Sequence, residues 1–125
     1  MFCQGAVIVL TYRDFSIYNT LMKPIDVFKA LSNETRLNIL QWLKEPEKHF
    51  PKQGAHLPKE VSYKGGVCVG DIQEKANASQ STVSHYLNMM QKAGLLESVR
   101  HGQWTYYRRN EEVIRQIADY FETEI

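Results

Sequence analysis

Ser79-Gln80-Ser81-Thr82-Val83-Ser84-His85-Tyr86-Leu87-Asn88-Met89-Met90-Gln91-Lys92-Ala93-Gly94 carries a full set of helix signals. Ser79 predicts the N-cap, because its hydroxyl can accept from an amide of the first turn. Gly94 stands where a left-handed residue ends a helix, and Leu95-Leu96 follow at once. At about 100° per residue, Val83, Tyr86, Leu87 and Met90 share one face. Gln80, Ser81, Ser84, His85, Asn88, Gln91 and Lys92 collect on the other. That outer face has no acid and one full positive charge.

Ordinary solvated helix faces are richer in Glu and Lys. Ser, Thr, Gln, Asn and His in the first two turns are side chains that reach base edges and phosphate oxygens in a DNA major groove. The helix therefore predicts DNA readout.

Its neighbours strengthen that expectation. Before it, a helix is predicted over 69–76, with Val69, Ile72 and Ala76 facing inward. Asn77-Ala78 makes a tight turn between the two, and Asn tolerates the left-handed conformation such a turn often needs. Two short helices so joined predict a helix-turn-helix. After it, residues 96–100 and 104–108 are rich in β-branched and aromatic residues and flank His101-Gly102-Gln103, which predicts a two-stranded hairpin. A hairpin beside a recognition helix is a wing. Candidate DNA contacts are Gln80, Ser81, Thr82, Ser84, His85, Asn88 and Lys92 on the helix, with Arg100, His101 and Gln103 in the wing.

Further out, Pro24 suits a first helical position, and Ile25, Phe28 and Leu31 form a short apolar stripe. Asn33 predicts the cap of a second helix over 34–44, where Leu37, Ile39, Leu40, Trp42 and Leu43 exceed one face and predict a central core helix. Residues 45–66 form a long connection. Its prolines and glycines prevent long helices, and Val61 and Tyr63 suit a short strand. It carries His49, His56, Lys52, Lys59 and Lys64 and reads as a surface insertion. At the far end, Asn110 with Glu111 and Glu112 opens a helix carrying Val113, Ile117, Tyr120 and Phe121 in one stripe. These four are the candidate dimer-interface residues, with Phe15 and Tyr18 as further contributors. Residues 1–21 alternate at Val7 and Val9 but show helical spacing at Phe15, Tyr18 and Met22. They read as an extension to a domain over 22–125.

Length and composition set outer bounds: 125 residues, 43% of them hydrophobic, make one domain with one core. The net charge of +1 hides an uneven distribution. Residues 75–109 hold five Lys and Arg against Glu97 alone, whereas residues 110–125 hold Arg115 against five acids. A positive body and an acidic tail imply two surfaces with different partners. The two cysteines, Cys3 and Cys68, are too few for a secreted disulfide scaffold. The longest apolar run, residues 6–10, is too short to span a bilayer and has no basic flank before it. A cytoplasmic protein without membrane contact is expected. The four His and two Cys show no spacing of a nucleophile–base pair or a zinc-activated water, so no enzyme and no cofactor is expected.

Phe28-Lys29-Ala30-Leu31-Ser32-Asn33-Glu34-Thr35-Arg36-Leu37-Asn38-Ile39-Leu40 resembles the entry signature of the ArsR/SmtB-type winged-helix repressors. Residues 79–87, Lys92-Ala93-Gly94-Leu95-Leu96 and Gly102-Gln103-Trp104-Thr105-Tyr106-Tyr107 resemble that family's recognition helix and wing. The resemblance covers about residues 24–123. It implies a mainly α winged helix-turn-helix of about five helices plus a two-stranded β-hairpin. It also implies a homodimeric repressor on an inverted-repeat operator in double-stranded DNA, with first and last helices at the dimer interface and release by an effector.

Two departures stand out. The family usually has a short link where this chain has 45–66. Metal-sensing relatives open the third helix with Cys-x-Cys-Asp, whereas this chain has Val67-Cys68-Val69-Gly70-Asp71. One thiolate remains, Cys3 could add a second, and soft-metal sites want three or four. The family's other site needs His on the last helix, and no His follows His101. No metal site is predicted, which leaves an unknown small-molecule effector, a redox switch between Cys3 and Cys68, or no effector. The remaining alternative is a winged helix used only for protein contacts. An acidic or apolar outer face on the recognition helix would favour it, and the face is neither.

Overall fold

The computed structural model describes residues 22–50 and 63–125. The readings of Cys3, of Val7 and Val9, of Phe15 and Tyr18, and of Lys52, His56, Lys59 and Val61 lie outside them. Among the described residues six helices and three strands follow in chain order: α1 (Pro24–Leu31), α2 (Glu34–Lys44), α3 (Pro46–His49), β1 (Val67–Cys68), α4 (Val69–Ala76), α5 (Gln80–Lys92), β2 (Leu96–His101), β3 (Trp104–Arg109) and α6 (Glu111–Glu124). The fold is a mainly helical winged helix-turn-helix.

Local chemistry sets most boundaries. Asn33 caps α2 by accepting from the Arg36 amide at 3.0 Å. Asn110 caps α6 by accepting from the amides of Glu112 and Val113. Gly94, at φ +91°, ends α5 in the left-handed region.

Two features exceed the sequence expectation of about five helices and a two-stranded hairpin. The extra helix is the single turn α3, started by Pro46, whose missing N–H costs a first turn nothing. Phe50 N–H closes that turn on Pro46 O at 2.8 Å, and the Phe50 ring packs edge-on against Trp42. Prolines and glycines forbid a long helix here but not one turn. The extra strand is β1, which pairs antiparallel with β3 through Val67↔Tyr107 and Cys68↔Tyr106, giving the order β1-β3-β2. Two residues are too few for alternation to register in the sequence.

The core joins α1, α2, α4, α5 and α6 to the base of the sheet. Val27, Ile39, Val67, Ile72, Val83, Leu87, Met90 and Leu95 are fully buried within it. Truncating such a residue, as in Leu87→Ala, costs about 2–5 kcal/mol. In α2 one position differs from expectation. Leu37 is 39% exposed, and Arg36 takes a buried place instead. Its Nε donates to Ala30 O at 2.6 Å and its Nη2 to Lys29 O at 3.3 Å. Arg36 thus adds donors to carbonyls in the last turn of α1, where Lys29 O also accepts from the Ser32 amide and hydroxyl.

Candidate nucleic-acid interface

The turn between α4 and α5 is set by Asn77, whose φ of 54° and ψ of 47° are left-handed. Its amide donates to Gln73 O and Glu74 O and closes α4. Two residues later Ser79 accepts from the Thr82 amide at 3.2 Å and donates its hydroxyl to Thr82 Oγ1 at 2.8 Å. The start of α5 is fixed before any partner arrives.

On α5, Val83, Leu87 and Met90 point into the core, and Tyr86 is half-buried. Gln80, Ser81, Ser84, His85, Asn88 and Lys92 are exposed on the opposite side. Thr82 is half-buried with its hydroxyl engaged by Ser79. In the wing, Gln103 and Arg100 are exposed and His101 is half-buried. Arg100 Nε donates to Gly102 O at 3.1 Å, so the guanidinium stays at the hairpin tip. Gly102 turns the tip at φ +62°.

Two links escaped the sequence reading. Ser98 Oγ of β2 donates to Gln91 Oε1 of α5 at 3.2 Å, joining wing to helix. No sequence signal marks it, because the pair forms only after the chain turns at Gly94. The other is the Arg36 guanidinium, 5.0 Å from the Tyr86 ring centre, which joins α2 to α5. An arginine just after the Ser32-Asn33 break was its one visible signal.

The positive body is weaker than a count of charges suggests. Arg108 Nε lies 2.8 Å from Glu97 Oε2 across the strand pair, and the guanidinium stacks 3.9 Å above the Tyr63 ring centre. Arg109 pairs with Glu111 at 3.0 Å. Lys75 lies over Trp42. Lys92 and Arg100 remain beside the outer face of α5 and on the wing, without an ion pair among the described residues.

Cys68 is 7% exposed, ends β1 and precedes α4. Gly70 is exposed, with no atom within 4 Å of where a Cβ would stand. Among the described residues no three His, Cys, Asp or Glu gather as a metal site, and no helix is long and apolar enough to cross a membrane. On α6, Val113 and Ile117, expected at a dimer interface, lie in the protomer's own core. The Asn110 cap, bonded to the Val113 amide, turns this end of α6 inward. Tyr120 is half-buried and Phe121 is 54% exposed, both against Phe28 of α1 at ring distances of 6.3 and 5.4 Å.

The profile of bacterial regulatory proteins of the arsR family matches residues 64–98, which hold α4, α5 and the start of β2. An uncharacterized HTH-type transcriptional regulator of Bacillus subtilis, YbzH, is 51% identical over 105 residues, which are 83% of this chain and the whole of that protein. The chain belongs to the ArsR family. The chain is also similar to the transcriptional repressor SdpR of Bacillus subtilis, 33% identical over 76% of this chain and 84% of SdpR. A solved structure, the homodimeric winged helix-turn-helix DNA-binding domain of Mb0332 from Mycobacterium bovis, is 26% identical, with a TM-score of 0.55. The match covers 88% of this chain and 86% of that one. This ArsR-family chain is accordingly a DNA-binding transcriptional regulator and not an enzyme.

Proposed function

We propose that the protein is a cytoplasmic, homodimeric repressor that binds an inverted repeat. The observation that carries this reading is the acid-free outer face of α5, fixed at its start by Ser79 and held to the wing through Gln91 and Ser98. Gln80, Ser81, Ser84 and His85 face bases, Asn88 and Lys92 lie at the edge of the groove, and Thr82 sits nearer a phosphate. Arg100, His101 and Gln103 contact backbone or minor groove. Two recognition helices stand about 34–36 Å apart, one turn of DNA.

The dimer forms through the apolar surface shared by α1 and α6. Ile25, Phe121 and Ile125 are exposed there, and Tyr120 and Phe28 are half-buried beneath them. Residues 1–21 are an extension to the domain over 22–125, and 45–66 is an insertion in it. Support for a dimer comes also from the homodimeric domain of Mb0332, and support for repression from SdpR.

The protein does not sense metal through the family's usual sites. Cys68 is buried and lies opposite Tyr106 of β3 in the sheet, Gly70 offers no thiolate, and the last helix has no His. A gel shift against DNA upstream of its own coding region, at two salt concentrations, tests the central reading. Binding that is specific and weakens with salt is expected. Absence of binding at both concentrations would reject it.

A further inference from the structure

A groove of about 520 Å³ lies between α1 and α5, next to the outer face of the recognition helix. Ala30, Met89 and Ala93 give it apolar walls. Lys29 enters from α1, Arg36 from α2 and Lys92 from α5, opposed by Asp26 alone. Three cations against one acid leave a positive excess in a concave space. Arg36 is occupied with the α1 carbonyls and Tyr86, but Lys29 and Lys92 make no ion pair among the described residues. An apolar wall with a few placed charges is the usual make-up of a small-molecule site.

We propose that this groove binds a small organic carboxylate. Its anionic group lies between Lys29 and Lys92, and its apolar body lies against Met89 and Ala93. A simple inorganic anion would satisfy the lysines but leave the apolar walls bare. The site also has a regulatory consequence, which rests on the DNA contacts proposed above. His85, Asn88 and Lys92 belong both to the groove and to the face assigned to DNA. An occupant therefore competes with the operator for the same side chains.

The probe is benzoate, titrated into the isotope-labelled full chain at constant ionic strength and followed by amide NMR shifts. Benzamide, its neutral counterpart, and inorganic phosphate are titrated in parallel. Saturable shifts centred on Lys29, Met89 and Ala93 are expected with benzoate and not with benzamide. Lys29→Gln should weaken benzoate about fivefold, the upper end of one exposed charge pair, and leave operator affinity of the ligand-free protein unchanged. Equal responses to benzoate and benzamide, or none to either, would overturn the site. Phosphate binding as tightly as benzoate would overturn the organic part. In a gel shift, benzoate should release operator and benzamide should not; a complex that keeps its DNA with benzoate bound would overturn the competition. If the protein bound no DNA at all, the function proposed above would fail, while the titration would still decide the site.

Discussion

The Arg36 guanidinium that holds the last carbonyls of α1 also lies 5.0 Å from the centre of the Tyr86 ring. One side chain therefore connects the end of the first helix to the recognition helix. Arg36→Met should cost about 1–3 kcal/mol, because it removes the donor to the buried Ala30 O, while Lys29 O keeps the Ser32 amide and hydroxyl. Tyr86→Phe keeps the ring face and should be nearly neutral, whereas Tyr86→Leu should lose about 0.5–1 kcal/mol of cation–π attraction. Urea unfolding of the three variants separates these outcomes, and equal midpoints for the Phe and Leu variants would dismiss the ring's role.

The wing and the helix should fail differently. Arg100→Ala should weaken binding to all sequences alike and lower the salt slope by about one. Gln80→Ala and Ser84→Ala should instead change which bases are preferred, with about 1–3 kcal/mol at a position read by a bidentate contact. Binding measured on an operator library at several salt concentrations distinguishes the two. Wild-type behaviour in every variant would mean that α5 does not read the DNA.

The proposed dimer is tested at the exposed end of α6. Phe121→Glu should give a folded monomer that has lost operator binding, seen by sedimentation and an unchanged circular-dichroism spectrum, with a lower melting temperature as the dimer's stabilisation is lost. Ile117 is the wrong place for that experiment. It is packed in the protomer's core, so Ile117→Glu should unfold the chain rather than separate two copies. A wild-type protein that sediments as a monomer at micromolar concentration would refute the dimer.

Two tyrosines make stability depend on high pH. Burial pushes the Tyr63 phenol up, with Arg108 opposing and Glu97 adding to the rise, and burial pushes the Tyr107 phenol up as well. The unfolded chain ionises at the ordinary tyrosine value of about 10. Below that value both phenols are neutral in the folded and unfolded chain alike and add no pH dependence. Above it the unfolded state loses protons first, so stability falls as pH rises through the raised folded values. Tyr107→Phe should flatten the fall in unfolding free energy measured between neutral and strongly alkaline pH; an unchanged slope would contradict the assignment.

Zinc, cadmium and arsenite should leave the operator complex intact at stoichiometric concentrations. Release by any of them, lost in Cys68→Ser, would overturn the reading of Cys68 as a buried structural residue. Release by a disulfide-forming oxidant alone would assign it a redox role.

The helix-turn-helix was legible because every one of its signals is local: Ser79, Asn77 and Gly94 each dictate their own backbone, and the stripe of Val83, Leu87 and Met90 has a single period. The outward set of α5 came from the same period. The hidden features depend on contacts between distant segments. β1 exists only because β3 lies beside it. Arg36 is buried only because α1 ends within its reach. Arg108 and Arg109 read as open charges until the strands bring Glu97 and the start of α6 brings Glu111. The stripe of Val113 and Ile117 fits completion of the core as well as a dimer face, since a stripe says that a face is covered and not by what; the fold places these two in the core.

Gly94 stands between the end of α5 and the first strand of the wing, and its left-handed turn has a reach beyond those two elements. A Cβ there would meet Val113 Cγ2 of α6 at 3.4 Å, an ordinary contact, so space does not demand glycine; the φ of +91° does, because an L side chain adopts it only under strain. The same turn is tied to α6, since the Asn110 amide just before that helix donates to Leu95 O at 2.9 Å. If two copies meet through α6, the turn also fixes the distance between their recognition helices. The base-pair count separating the operator's half-sites is then a length set by one backbone torsion, and Gly94→Ala, by straining it, should shift the preferred separation rather than the preferred bases.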